Sequence, residues 1–128
     1  YAAYPARDHA LNLKSCNDSG NDMALVRCKK NSHSIIVSFG SDTTVKIAYR
    51  LKAALLRILQ EPVEHYRFDL SEITDTDITF IQLLISFRNT LIRDERRMSV
   101  INCAADSAFI TTCNLCGIDI RSILEFEG

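Results

Sequence analysis

Residues 69–84 read Asp69-Leu-Ser-Glu-Ile-Thr-Asp-Thr-Asp-Ile-Thr-Phe-Ile-Gln-Leu-Leu84. A strand of mixed apolar and charged character, Tyr66–Leu70, runs into a polar loop, Ser71–Asp77. The loop runs into a helix over 78–93, because Phe80, Leu83, Leu84, Phe87 and Leu91 recur at helical spacing. Asp77 stands at the N-cap, where a carboxylate accepts from the free N–H groups two or three residues on. Thr76, Asp77 and Thr79 therefore surround the positive end of a helix dipole, a place that tolerates phosphate well. On these residues alone, a plain N-cap is the simpler reading.

Outward from this segment, strands and helices alternate. Met23–Lys29 fits a short strand, and Asn31, Ser32, His33 and Ser34 fit a turn. Ser34–Phe39 is a second strand, rich in β-branched residues and ended by Gly40. Ile47, Leu51, Leu55 and Ile58 predict a helix over 44–60, which Pro62 stops. Met98–Cys103 is the next strand. Ser107–Cys116 is a short helix closed by Gly117, which suits the left-handed position after a helix end. Arg121–Phe126 fits a last short strand. The order β-β-α-β-α-β-α-(β) implies an α/β fold with a mixed central sheet, parallel crossovers and helices packed on it. Residues 1–22, rich in Asn, Asp and Ser, cannot build a core face and read as a flexible N-terminal tail before a domain at 23–128.

The length, 128 residues, suits one domain. An apolar share of 47% and a charged share of 24% exclude collagen, low-complexity disorder and a disulfide scaffold. The net charge of −1 argues against nucleic acid as a partner. No apolar run is long enough to span a bilayer, so direct membrane insertion is not expected. The neutral total hides sorted charge. Residues 45–60 carry Lys46, Arg50, Lys52 and Arg57 with no acid, and 61–85 carry six acids against Arg67 alone. Residues 86–97 then carry Arg88, Arg93, Arg96 and Arg97 against Asp94 and Glu95. Solvated helix faces account for such sorting most simply; docking of an acidic partner by those four arginines is the sharper alternative. Five cysteines, an odd count, and no apolar signal core in residues 1–22 suit a reducing, cytoplasmic setting. The first residue is Tyr1 rather than Met, which leaves open a fragment of a longer protein.

Catalytic signals are weak. Cys113-Asn-Leu-Cys116 has the spacing of a redox pair, but it precedes Gly117 at the negative end of a helix, where thiolate is disfavoured. Core packing is the better reading. His9, His33 and His65 form no i,i+4 pair and read as surface residues. Asp75 and Asp77 alternate in a loop, where capping or solvation is commoner than metal binding. No glycine-rich phosphate loop and no nucleophile elbow occur. Neither an enzyme nor a cofactor or metal is expected.

At residues 69–84 the chain resembles the STAS family, the fold of anti-sigma-factor antagonists. Asp69-Leu70-Ser71 matches the family's strand end, Ile73-Thr74 its loop, Asp77 its motif aspartate and Ile81-Gln-Leu-Leu84 its helix start. Ser34–Gly40, residues 44–60, Arg97–Asn102 and Cys116-Gly117-Ile118 fit the remaining elements, so the resemblance covers about residues 23–127. In phosphorylatable members a hydroxyl follows the motif aspartate. Here Ile78 stands there, Thr79 replaces a small residue and Phe80 replaces a glycine.

The resemblance implies a non-enzymatic module of signal transduction and bacterial transcription regulation that binds a protein by partner switching. Asp77, Ile78, Thr79 and Phe80 form the expected interface, with Ile78 and Phe80 as an exposed apolar patch. Binding is then constitutive, or switched by phosphate on Thr79 or Thr76. The partner implied is an ATPase-fold kinase or anti-sigma factor. Alternatives are a STAS subunit of an ABC lipid-transport system, which braces an ABC ATPase, and the cytosolic STAS domain of an anion transporter. Self-association into a homodimer is open as well.

Overall fold

The computed structural model describes residues 26–127. The tail assigned to 1–22 and the first residues of the Met23–Lys29 strand lie outside the described residues. The elements are β1 (Val26–Lys30), β2 (Ser34–Phe39), β3 (Asp42–Thr43), a 3-10 turn (Val45–Ile47), α1 (Ala48–Ile58), β4 (His65–Asp69) and β5 (Asp75–Thr76). They continue through α2 (Ile78–Arg93), β6 (Arg97–Ile101), α3 (Ala108–Leu115), a second 3-10 turn (Ile120–Ser122) and β7 (Glu125–Phe126). The main sheet has the order β1-β2-β4-β6-β7. β1 is antiparallel to β2, and every other pair in it is parallel. The fold is thus α/β with a mixed central sheet, as the order of elements implied.

Alternation sets the sheet faces. In β2, Ile35, Val37 and Phe39 are buried, and in β4 Tyr66 and Phe68 are, while the residues between them are half-buried. The buried face meets Leu51, Leu55 and Ile58 of α1 and Phe80, Ile81, Leu84, Phe87 and Leu91 of α2. Each such side chain contributes roughly 1.5–3 kcal/mol by leaving water. Aromatic edges interlock through the core: Phe39 lies 5.4 Å from Phe68 and 5.1 Å from Phe80, and Phe68 lies 5.2 Å from Phe87. The other face carries charge, with Glu127 paired to Arg67 at 3.0 Å and Glu125 paired to Arg97. No helix among the described residues is long and apolar enough to cross a membrane.

Three expectations are adjusted. The helix expected over 44–60 becomes a 3-10 turn and an eleven-residue α1, because Ile47, at φ −117° and ψ 10°, leaves helical geometry. The polar loop 71–77 contains β5, which pairs in parallel with β3 as a separate two-stranded sheet. Strands this short leave no periodicity to read. The terminal strand shrinks to Glu125–Phe126 behind a 3-10 turn. At the end of α3, Gly117 takes φ 73°, the left-handed conformation its place in the sequence suggested.

Candidate functional site

The site is built at the carboxyl ends of β2 and β4. Asp69 ends β4, and its carboxylate accepts from the Ser71 N–H at 2.9 Å and the Asn102 amide at 3.1 Å. Burial pushes its pKa up, but the Ser71 N–H and hydroxyl, Asn102 and Arg27 outweigh that and hold it below the usual carboxylate value. The loop then turns toward the end of β2. The Thr74 and Asp75 N–H groups both donate to the Ser41 carbonyl at 2.9 Å. The Thr43 hydroxyl donates to the Asp75 carbonyl at 3.2 Å. Asp42 accepts the Thr44 N–H and hydroxyl, in that order of effect, and these lower its pKa.

Asp77 closes the arrangement. One carboxylate oxygen accepts the Thr79 N–H at 3.0 Å, the N-cap bond that starts α2. The other accepts the Val45 N–H at 2.8 Å, from the 3-10 turn that leads into α1. A single side chain thus caps one helix and ties its start to the start of another. Both oxygens are occupied by main-chain donors, so this carboxylate serves geometry. Among the described residues no group of three or more His, Cys, Asp and Glu side chains is arranged to hold a metal ion.

The residues expected at the interface separate. Ile78, the first residue of α2, is 43% exposed. Thr79 is half-buried in the first turn. Phe80 is a correction: expected as exposed, it is fully buried. The N-cap geometry points the third residue of α2 inward, where its ring lies 5.1 Å from Phe39 and 6.0 Å from Phe109. Thr76 is a second correction, because its hydroxyl oxygen is enclosed and has no hydrogen-bond partner among the described residues. Two apolar residues that sequence reasoning passed over join Ile78 at this end: Val45, 62% exposed, and Tyr49, 85% exposed. Their spacing of four, outside the Ile47-Leu51-Leu55-Ile58 stripe, was the available signal.

Of the four arginines expected to dock an acidic partner, Arg88, Arg96 and Arg97 line one pocket with Ile92, Met98 and Glu125, and Arg93 lies outside it. Arg96 turns inward as a third correction. Its guanidinium donates to the Leu59 carbonyl at 3.3 Å, the Glu61 carbonyl at 3.1 Å and the Tyr66 hydroxyl at 2.9 Å. Arg97 is tied to Glu125 on the far sheet face. Arg88 is half-buried beside Asn89, and Arg93 is exposed. His65, read as a surface residue, is only half-buried and lies 2.7 Å from the buried Ser99 hydroxyl. Cys113 is fully buried, and burial, then Cys103 and Cys116, raises its thiol to about 11, opposite to what a nucleophilic thiol requires.

No family model and no curated protein sequence matches the chain. Solved structures do. An anti-sigma factor antagonist from Mycobacterium paratuberculosis superposes with a TM-score of 0.67 at 15% identity, over 79% of this chain and 82% of that one. Unphosphorylated SpoIIAA, an anti-sigma factor antagonist, gives 0.59 at 8% identity over 80% and 87%. TM1081 gives 0.62 at 10% identity over 78% of each chain. The chain therefore has the STAS fold, the fold of the anti-sigma factor antagonists.

Proposed function

We propose that the chain is a non-enzymatic regulatory module that binds a protein partner of the ATPase-fold kinase or anti-sigma type. Docking is at the helix start held by Asp77, and it is constitutive. The observation that carries this reading is the exposure of Ile78, together with Val45 and Tyr49; by the motif resemblance, Ile78 takes the place of the hydroxyl that phosphorylatable members carry. SpoIIAA has been solved in unphosphorylated and phosphorylated forms. A phosphate brings roughly −1.5 to −2 charges to a docking face and opposes binding there by repulsion and desolvation. Ile78 has no oxygen to accept one. Thr79 is the hydroxyl of the first turn that remains for a switched version, since the Thr76 oxygen is enclosed.

The test is a titration of the wild-type chain and Ile78→Glu against the kinase or anti-sigma factor encoded beside its gene. Ile78→Glu, which mimics the missing charge, is expected to weaken binding at least tenfold while leaving the melting temperature unchanged. Equal affinities would discard the site. Incubation with that kinase and ATP, followed by mass spectrometry, separates the two versions: phosphate on Thr79 replaces the constitutive reading with a switched one.

A further inference from the structure

Behind the Asp77 end, α1 and α2 lie side by side and leave a groove on their outer surface. Its apolar lining comes from Leu55 and Leu56 of α1, Leu59 just past its end, and Leu83 and Phe87 of α2, around a space of about 100 Å³. Leu56, on its rim, is 52% exposed. On the helical projection of α1 Leu56 follows Tyr49 along one row of the solvent face. Lys52 stands in this row and also lines the groove. On the α2 side Arg93, exposed, reaches the hydroxyl of Thr90, which lines the groove. From Val45 to Gln60 the chain has no acidic residue.

We infer that this groove receives an acidic amphipathic helix from a protein partner. This rests on the reading of the chain as a partner-binding module and supplies the partner's chemistry. An apolar stripe of about 100° would face the space between the two helices, and Glu or Asp on its flanks would meet Lys52 on one side and Arg93 on the other. α1 is about 16 Å long, enough for three turns of the incoming helix. A second copy of this chain is disfavoured, since two such faces would set lysine against lysine. An anionic bilayer is disfavoured by shape. It is flat on this scale and reaches the rim, Tyr49 and Leu56, but not the floor formed by Leu83 and Phe87.

The full chain, labelled with 15N, is titrated with two designed eighteen-residue amphipathic peptides that share one leucine face and differ only in glutamate or lysine flanks. The glutamate peptide should shift the amide signals of Lys52, Leu56, Leu83 and Ser86, and the lysine peptide should not. Leu56→Glu should weaken glutamate-peptide binding at least tenfold. The double variant Lys52→Glu/Arg93→Glu should reverse the preference. Equal response to both peptides, no response at the groove, or a groove response only to phosphatidylglycerol vesicles would overturn the assignment. So would concentration-dependent shifts of the same amides without peptide, which would place a second copy there. If Ile78→Glu abolishes partner binding while Leu56→Glu and the double variant leave it intact, the groove assignment fails and the regulatory reading stands. If all three variants bind normally, both fail.

Discussion

Asp77 accepts from main-chain N–H groups of two different elements, and that sets what its replacement costs. Loss of an N-cap costs about 1 kcal/mol, and loss of the exposed bond to Val45 adds about 0.5 kcal/mol, since water replaces it. Asp77→Ala should therefore lower stability by about 1.5 kcal/mol in urea unfolding. Asp77→Asn keeps one acceptor oxygen and should lose about half as much. An Asp77→Asn variant as stable as the wild type would mean that the second bond contributes nothing. Thr76 supplies the opposite sign. Among the described residues its enclosed hydroxyl has no partner, and such a group costs about 1–3 kcal/mol. Thr76→Val keeps the shape and β preference, and should raise the urea midpoint by the equivalent of about 1 kcal/mol. At this scale the Asp77 cap was legible in sequence, because N-capping is local. The bond to Val45, 32 positions away, was not, and neither was the inward turn of Phe80 onto Phe39 and Phe109.

Between elements, the end of α1 is held by side chains from β4 and from the turn before β6. The Tyr66 hydroxyl lies 2.9 Å from the Glu61 carbonyl and 3.2 Å from those of Ile58 and Leu59. Arg96 adds a fork to the Leu59 and Glu61 carbonyls and stacks 5.3 Å from the centre of the Tyr66 ring. These carbonyls carry the negative end of the helix dipole, so a guanidinium suits them. Hydrogen bonds from a charged group are worth about 1.5–3 kcal/mol when buried, and the Arg96 side chain is 19% exposed. Arg96→Met should cost about 2 kcal/mol, and Arg96→Lys most of that, because an ammonium cannot fork to both carbonyls. Thermal unfolding of both variants checks this, and an Arg96→Lys variant as stable as the wild type would count against the fork. The sequence marks Arg96 as one of a basic cluster and no more. Only the packing of β4 under α1 converts it from surface charge to cap.

For the molecule as a whole, the titrating groups bound a pH window. Burial, then Arg97, holds the His65 pKa below 6.5 in the folded chain. The unfolded chain then takes up more protons as pH falls below that value, and stability drops. Asp42, Asp69, Glu125 and Glu127 all have lowered pKa values, so a second loss begins below about pH 4.5. Glu125 is close to half exposed, so solvent screens its part of that loss. At the alkaline side, burial, then Glu61, raises Cys28 to about 12, and burial raises Tyr66 to about 12 against Arg96. Their stabilisation is complete below the unfolded values of 9.0 and 10.0 and is lost as pH rises beyond them. Urea midpoints should therefore be flat from about pH 6.5 to 9 and fall on both sides. His65→Gln should remove the shallow decline between pH 5 and 6.5, and a midpoint that rises below pH 6 would contradict the assignment.

The sequence by itself determined the α/β alternation, the helix over 78–93, the N-cap at Asp77, the turn at Gly117 and the absence of an oxygen at Ile78. Each is written in spacing or in one side chain's chemistry, within a few residues. Tertiary structure alone decided that Asp77 joins two helix starts, that Phe80 is core and that Arg96 is a cap. It also decided that Tyr49 and Leu56 stay exposed beside a groove. These depend on contacts between residues some 30 or more positions apart, and on which side of each helix meets the sheet, and no local pattern carries that information.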